Sequence, residues 1–267
     1  MSGSDSGPGP LDFLAGLFGG GKGNHALDET AWRAVMQLPL FDGLDASEQG
    51  RLRELAIQLL ADKAFSGEGG AEVDDGMVTA IAAFAALPVL NLSYDWYKGW
   101  REIVIYPGEY AYDGEQMDAA GIVHQVHHVR SGEAMTGGPM VLSWQDVERC
   151  GQGAGFNVVI HEFAHKLDMN NGNANGRPPL HSGMNPDGWA HDFQTAYDDL
   201  SRHVAHGGIA INPYAAENPA EFFAVLSEYF FESPHVLQRE YPAVYEQLVQ
   251  FYRQDPLARL RHGTREA

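Results

Sequence analysis

The most constraining feature of this chain is the segment Val158–Asp168, which reads VVIHEFAHKLD. Its apolar residues are spaced as on the buried side of a helix. His161 and His165 are four residues apart, so on a helix both imidazoles project from one face and can bind one metal ion. Glu162 lies about 100° round the helix from His161, beside such an ion without having to bind it. The segment therefore predicts a metal-binding helix. The alternative is that the match to the H-E-x-x-H pattern arises by chance and that both are ordinary core or surface histidines.

Two histidines need a third protein ligand to hold a catalytic zinc ion, which leaves a fourth position open. The metzincin pattern places a third histidine shortly after the second, but Asp168 and Asn171 stand where that pattern requires Gly and His. A carboxylate from a later helix must then complete the site. The segment Glu217–Phe230, ENPAEFFAVLSEYF, offers Glu221 and Glu228, which are seven residues, or two helical turns, apart. Only one of these two can reach an ion held by the histidines.

Glu221 also has a purely structural interpretation. Asn218 can cap the helix, Pro219 suits its first position, and a glutamate at the third position can close a capping box. Glu217, which precedes the proline, is a weaker third candidate for the metal ligand. If Glu221 binds the ion, Glu228 can instead orient a ligand histidine through a hydrogen bond.

The segment HEFAHKLD, followed by Tyr214 and then NPAEFFAVLSEYFF, resembles the Mlc titration factor A family of bacterial metallopeptidases. It is also similar, more distantly, to the catalytic domain of anthrax lethal factor. Two further segments, Leu87–Tyr110 and Gly138–Trp144, extend the resemblance to the titration factor family over most of residues 28–255. The sequence departs from the family at Asn170–Gly176 (NNGNANG), where an Asp-Gly pair is more usual. This departure concerns a loop and not the metal motif.

The resemblance implies a zinc-dependent peptidase that hydrolyses peptide bonds with a metal-activated water. It implies that His161, His165 and Glu221 bind Zn²⁺. Glu162 would be the general base, and Tyr214 would donate a hydrogen bond to the developing oxyanion. By itself, Tyr214 is one of eleven tyrosines and could be a half-buried core residue. The family is also known for sequestering a transcriptional repressor of sugar uptake, so the alternative function is a regulatory protein that binds such a repressor, with peptidase activity secondary.

Two other residues bear on the kind of metal site. Asp168 lies seven positions after His161 and could orient a ligand histidine, or it could be a solvated residue at the helix end. Cys150 is the only cysteine, which excludes an intrachain disulfide. It also argues against a structural zinc site, because such sites have four protein ligands that commonly include thiolates.

The order of predicted elements is helices, a small sheet, then more helices, which indicates an α+β fold. Helices are expected to begin near Asp28 and to cover Ser47–Lys63, Asp74–Leu87, and about 155–170, 188–203, 218–231 and 242–254. Strands are expected at Glu102–Tyr106, Ile122–Val129 and Pro139–Trp144. The uncharged stretch Gly76–Tyr94 is expected to form a buried helix and then a buried strand. The resemblance adds a zincin-like fold, in which the strand Pro139–Trp144 would edge the cleft and pair with an extended peptide.

Residues 1–27 are rich in Gly and Ser and are predicted to form a mobile leader before a single domain over residues 28–267. Seventeen Lys and Arg against thirty-six Asp and Glu give a net charge of −19. Nucleic acids and anionic bilayers repel such a surface, so neither is expected as a direct partner. The start of the chain lacks a basic signal-peptide region, which predicts a cytoplasmic protein. The peptidase activity that the resemblance implies predicts a peptide or protein substrate.

Overall fold

The computed structural model describes residues 25–108, 110–117, 123–130, 132–134, 138–206 and 210–266. Residues 1–24 of the predicted leader therefore lie outside the described part of the chain. The first helix of the described residues begins at Glu29, where the Asp28 side chain accepts a hydrogen bond from the Ala31 N–H at 2.7 Å. Buried residues from Trp32 to Tyr252 form one hydrophobic cluster. The domain boundaries at residues 28 and 267 stay a prediction.

The fold is mixed and rich in helix, with a small sheet, as the α+β prediction states. The helices are α1 (Glu29–Val35), α2 (Ala46–Asp62), α3 (Asp75–Ala86), α4 (Trp144–Val147), α5 (Val158–Asp168), α6 (Pro186–His206), α7 (Pro219–Glu232), α8 (Pro234–Glu240), α9 (Pro242–Tyr252) and α10 (Pro256–Glu266). The strands are β1 (Ala64–Gly67), β2 (Glu102–Tyr106), β3 (Tyr110–Met117), β4 (Val123–Arg130), β5 (Gly132–Ala134) and β6 (Met140–Ser143).

The main sheet has the strand order β1-β2-β6-β5. Strands β1, β2 and β6 are parallel, and β5 pairs with β6 in the antiparallel direction. Strands β3 and β4 form a separate antiparallel pair. With one exception, the predicted helices and strands correspond to elements of this fold within a few residues at each end. The sequence analysis did not identify β1, β3, β5, α4, α8 or α10.

The strand expected after the helix in Gly76–Tyr94 is wrong. After α3, the chain forms consecutive turns, in which the Leu90 N–H donates to the Leu87 carbonyl at 3.2 Å and the Leu92 N–H to Val89 at 3.0 Å. Pro88 has no N–H to offer a sheet, which favours turns here. The apolar side chains of this segment still fill the core, because burial depends on contact and not on strand pairing.

The strand within Pro139–Trp144 was expected to edge the cleft and pair with an extended peptide, and the expected pairing is wrong because both of its sides are occupied. Strand β6 is paired on both sides, through Met140 with Ile103 of β2 and with Ala134 of β5. The edge on this side is β5, which also contacts helix α5. A strand of three residues leaves too short an alternating pattern to be identified from sequence. Among the described residues, no helix has the length and apolar character needed to cross a membrane.

Aromatic packing fixes the positions of α5 and α7, which contact each other in the core. Phe163 of α5 meets the rings of Tyr97 and Trp100 edge-on, with centroids 4.8 Å and 5.5 Å apart. Phe223 of α7 packs against Trp189 of α6 at 6.1 Å. Because these rings are buried and interlocked, the polar faces of α5 and α7 are held towards each other.

Candidate metal centre

Helix α5 places both histidines of the motif on its inner face. Asn157 caps the helix, accepting a hydrogen bond from the Ile160 N–H at 3.0 Å. His161 and His165 are buried, with 9% and 7% of their surfaces exposed. Their Nε2 atoms are 3.2 Å apart, so the two rings direct these nitrogens to one point. The predicted spacing thus produces the expected convergence on one helix face.

Helix α7 brings a carboxylate to the same point. The Glu221 Oε2 atom is 3.0 Å from His161 Nε2 and 3.3 Å from His165 Nε2. These three residues form a cluster whose candidate ligand atoms all lie within 4.8 Å of one another. The three atoms therefore form a nearly equilateral triangle of two imidazole nitrogens and one carboxylate oxygen.

The size of this triangle suits a zinc ion. Zinc binds imidazole nitrogen and carboxylate oxygen at about 2.0–2.2 Å, so a tetrahedral site holds its ligand atoms roughly 3.3–3.6 Å apart. The observed separations of 3.0, 3.2 and 3.3 Å lie within a few tenths of an ångström of that range. Nitrogen and oxygen donors in this number also match catalytic zinc sites, which use three protein ligands. The residues present therefore fit the metal.

Glu221 takes this position although it also lies at the start of a helix. Asn218 caps α7, accepting hydrogen bonds from the N–H groups of Ala220 and Glu221 at 2.9 Å and 3.0 Å. The Glu221 carboxylate points instead towards the histidines. Burial acts to raise the pKa of this carboxyl, but hydrogen bonds from His161 and His165 outweigh burial and hold the pKa well below its usual range. Glu221 thus presents an ionised oxygen to the cluster.

Glu228 contacts the opposite side of the His161 ring. Its Oε1 atom accepts a hydrogen bond from His161 Nδ1 at 2.8 Å. A carboxylate can only accept, so Nδ1 carries a proton, and the lone pair available for a metal is on Nε2. Burial acts to lower the His161 pKa, but the hydrogen bonds to Glu221 and Glu228 raise it well above the ordinary value. A metal ion at this site would therefore displace a proton from Nε2.

Glu162 is buried beside the cluster and is not part of the triangle. Only 3% of its surface is exposed, and its charge acts on both His161 and Lys166. Burial lowers the pKa of Lys166 to about 8, although Glu162 acts to raise it. The Lys166 ammonium donates to the Gly138 carbonyl at 2.9 Å, just before β6. Glu162 is thus a buried carboxylate close enough to His161 and Lys166 to act on the charge of both.

Tyr214 lies on the outer side of the site, in a short 3₁₀ helix at Pro213–Ala216. Its ring centroid is 6.1 Å from that of His161, and 44% of its surface is exposed. Asn212 accepts a hydrogen bond from the Tyr214 N–H at 3.0 Å, which fixes the turn. The Tyr197 hydroxyl donates to the Ala216 carbonyl at 3.0 Å and holds the other end of the segment. The structure therefore places this partly exposed ring beside His161.

Asp168 does not match the second of its two interpretations, and it interacts electrostatically with His165, one of the two histidines of the motif. It is fully buried, so it is not a solvated residue at a helix end. Its Oδ2 atom accepts hydrogen bonds from the N–H groups of Asn175 and Gly176 at 2.7 Å and 2.6 Å. It thereby holds the loop where the sequence departs from the titration factor family, while Glu228 provides the carboxylate partner of His161.

Two residues around the site were missed by sequence reasoning. Asn157 stands directly before the apolar run of α5. An asparagine at this position is an N-cap signal, so the sequence could have identified it. Glu232, one turn beyond Glu228, accepts a hydrogen bond from the Asn157 side chain at 2.8 Å. No feature of the sequence links these two positions, which are seventy-five residues apart.

This arrangement defines a class of protein. A donor set of two imidazoles and one carboxylate, with a further carboxylate directly after the first histidine, is typical of metal-dependent peptidases. The sequence pattern of the glucose-regulated metallo-peptidase M90 family matches residues 22–253. The chain belongs to this family.

Its relatives support the same assignment. The chain is 42% identical over 234 residues to Mlc titration factor A of Yersinia pestis (strain Pestoides F), which covers 86% of each chain. It shows the same identity and coverage with Mlc titration factor A of Yersinia pseudotuberculosis serotype O:3 (strain YPIII). The resemblance to the titration factor family is therefore confirmed.

Proposed function

We propose that this protein is a zinc-dependent peptidase in which His161, His165 and Glu221 bind the ion. The observation that carries the proposal is the convergence of three ligand atoms from two helices, each within 3.3 Å of the other two. Membership of a metallo-peptidase family supports the same reading. When bound, a zinc ion polarises the scissile carbonyl and makes water a stronger acid.

The protein side chains would carry the proton transfers. Glu162 takes a proton from the attacking water as the water oxygen bonds to the carbonyl carbon. Glu162 then delivers this proton to the nitrogen of the leaving amine as the C–N bond breaks, and the products are a carboxylic acid and an amine. The Tyr214 hydroxyl donates a hydrogen bond to the oxyanion of the tetrahedral intermediate.

The substrate would be an extended peptide that pairs with the edge strand β5. This strand lies at the edge of the sheet and contacts α5, so a peptide added to it would run along the motif helix. Pairing through main-chain hydrogen bonds gives affinity without demanding a particular sequence. The proposed edge is β5 because β6 is already paired on both sides.

The purified protein is expected to contain about one zinc ion per chain. Three nitrogen and oxygen donors at this spacing favour zinc among the common divalent ions. Elemental analysis after purification without chelators measures the content. A value below about 0.2 equivalents, with no uptake when zinc is added, would contradict the metal proposal.

Replacing Tyr214 with Phe is expected to lower turnover by about 10²–10³-fold, which is the cost of losing one oxyanion donor. Zinc content and thermal stability should not change, because the ring is retained and lies on the solvent side of His161. Steady-state kinetics on a fluorogenic peptide separate kcat from KM. An effect on KM alone would indicate that Tyr214 lines the peptide-binding site and does not donate a hydrogen bond to the oxyanion.

A second function is supported by the names of the relatives. They are titration factors of Mlc, which suggests that this chain also binds a transcriptional repressor of that kind. Such a role places the protein in the cytoplasm, where a repressor acts on DNA, and needs no direct contact with nucleic acid. Binding of purified Mlc protein, measured by calorimetry with wild type and with an inactive variant, distinguishes capture of the repressor from its cleavage.

A further inference from the structure

Asn157 uses its hydrogen-bonding groups to connect three parts of the molecule. Its side-chain oxygen caps α5, and its carbonyl accepts from the His161 N–H at 2.9 Å. Its backbone N–H donates to Glu228 Oε2 at 2.6 Å, and its side-chain Nδ2 donates to Glu232 Oε1 at 2.8 Å. The residue is fully buried, so none of these groups has water as a ready substitute.

Glu228 and Glu232 are one turn apart on α7, and both are buried, with 5% and 6% of their surfaces exposed. Glu232 also accepts hydrogen bonds from the N–H groups of Gly151 and Gly153 at 2.7 Å and 2.8 Å. These backbone groups and the Asn157 amide surround its carboxylate. These hydrogen bonds fix Glu232 and so hold α7 in place. The bond from Asn157 also joins α7 to the start of α5.

This link matters for the metal site because the site is divided between two helices. His161 and His165 come from α5, and Glu221 comes from α7, so the triangle keeps its size only while the two helices keep their register. In a capping box, the helix's own third residue would accept from the cap's backbone N–H. Here Glu228 of α7 accepts from Asn157, and it also holds the ring of His161.

We propose that the Asn157–Glu232 hydrogen bond is a positioning element that sets the register of α5 against α7 and so tunes the affinity of the metal site. This inference rests on the proposed zinc site. Neither residue contacts the ligand atoms directly, and both act through Glu228 and the two helix backbones. A residue that served only as a helix cap would affect stability and leave metal affinity unchanged.

The replacement Asn157→Asp separates these two roles. Aspartate is as good a cap as asparagine, so α5 keeps its start. The second aspartate oxygen, however, takes the place of the amide donor and faces the Glu232 carboxylate. An added negative charge near a cation site would by itself tighten zinc binding. A loss of affinity therefore points to the broken link and the displaced helices, because the charge by itself acts in the opposite direction.

The experiment measures the zinc dissociation constant of the full chain by competition with a chromophoric chelator. We expect Asn157→Asp to raise it by about 10–100-fold, the usual effect of an outer partner of a metal ligand. Glu232→Gln should also weaken binding. In the double variant the glutamine amide can donate to the aspartate, but this NH₂ group then also faces the Gly151 N–H, which donates to the same Glu232 oxygen in the wild type, so at most a small part of the loss should be recovered.

Two further variants help to interpret the measured zinc affinity. Asp74→Asn makes the reverse exchange at the cap of α3, where Asp74 accepts from the Met77 N–H at 2.8 Å, and should leave zinc affinity unchanged. If Asn157→Asp does not fold, Asn157→Ser removes the amide without adding charge and should weaken binding about tenfold. Wild-type affinity in a folded Asn157 variant would overturn the inference. Absence of zinc binding by wild type would instead overturn the proposed function.

Discussion

Replacing Glu162 with Gln is expected to abolish most peptide hydrolysis while the protein keeps its full zinc content. Glutamine has the shape of glutamate but cannot accept a proton, so general-base catalysis worth about 10²–10⁴-fold is lost. Glu162 lies outside the triangle of ligand atoms, so zinc should remain bound. Turnover of a peptide library, measured together with zinc content by elemental analysis, tests both halves of the prediction.

Glu217→Gln is the matched control for this experiment. It makes the same chemical change at an exposed residue that is not part of the described cluster of His161, His165 and Glu221, and it should leave turnover and zinc content unchanged. Retained hydrolysis in Glu162→Gln would assign the base to another residue. If that variant loses hydrolysis but still binds Mlc, repressor binding does not depend on catalysis, and both functions can belong to one chain.

The features that sequence predicts well in this protein are local. The spacing of His161 and His165 forces their side chains together on any helix, and the helix itself follows from the apolar residues around them. The strand Glu102–Tyr106 was predicted with its observed bounds because β-branched residues are concentrated there between turn signals. In each case, the determining residues lie within about a dozen positions of one another.

The features that sequence could not predict depend on tertiary contacts. Spacing alone left Glu221 and Glu228 as alternatives, because nothing local shows which side of the His161 ring each carboxylate meets. The family resemblance favoured Glu221, and the fold brings it to the Nε2 side. The link between Asn157 and Glu232 spans seventy-five residues without a local signature. Apolar residues after α3 were mistaken for a strand because burial in turns and burial in strands leave the same composition.

The opposite positions of Glu221 and Glu228 around His161 lead to the second large prediction. Glu221 lies on the Nε2 side, where His165 Nε2 also converges, whereas Glu228 is bonded to Nδ1. Glu228 could join the cluster only if the ring turned over and gave up that hydrogen bond. This geometry supports the proposal that Glu221 is the third ligand and that Glu228 orients His161.

Glu221→Gln is accordingly expected to remove most of the bound zinc, because a neutral amide replaces the anionic ligand of the proposed site. Glu228→Gln should weaken zinc affinity by no more than about 10–100-fold. The amide oxygen of the introduced glutamine can still accept from His161 Nδ1, although the NH₂ group of the same side chain would then face the Asn157 N–H. Zinc content after dialysis and chelator competition on both variants give the order of loss. If Glu228→Gln loses more zinc than Glu221→Gln, then Glu228 is the ligand and Glu221 serves the start of α7, which would require a different arrangement of the site around His161.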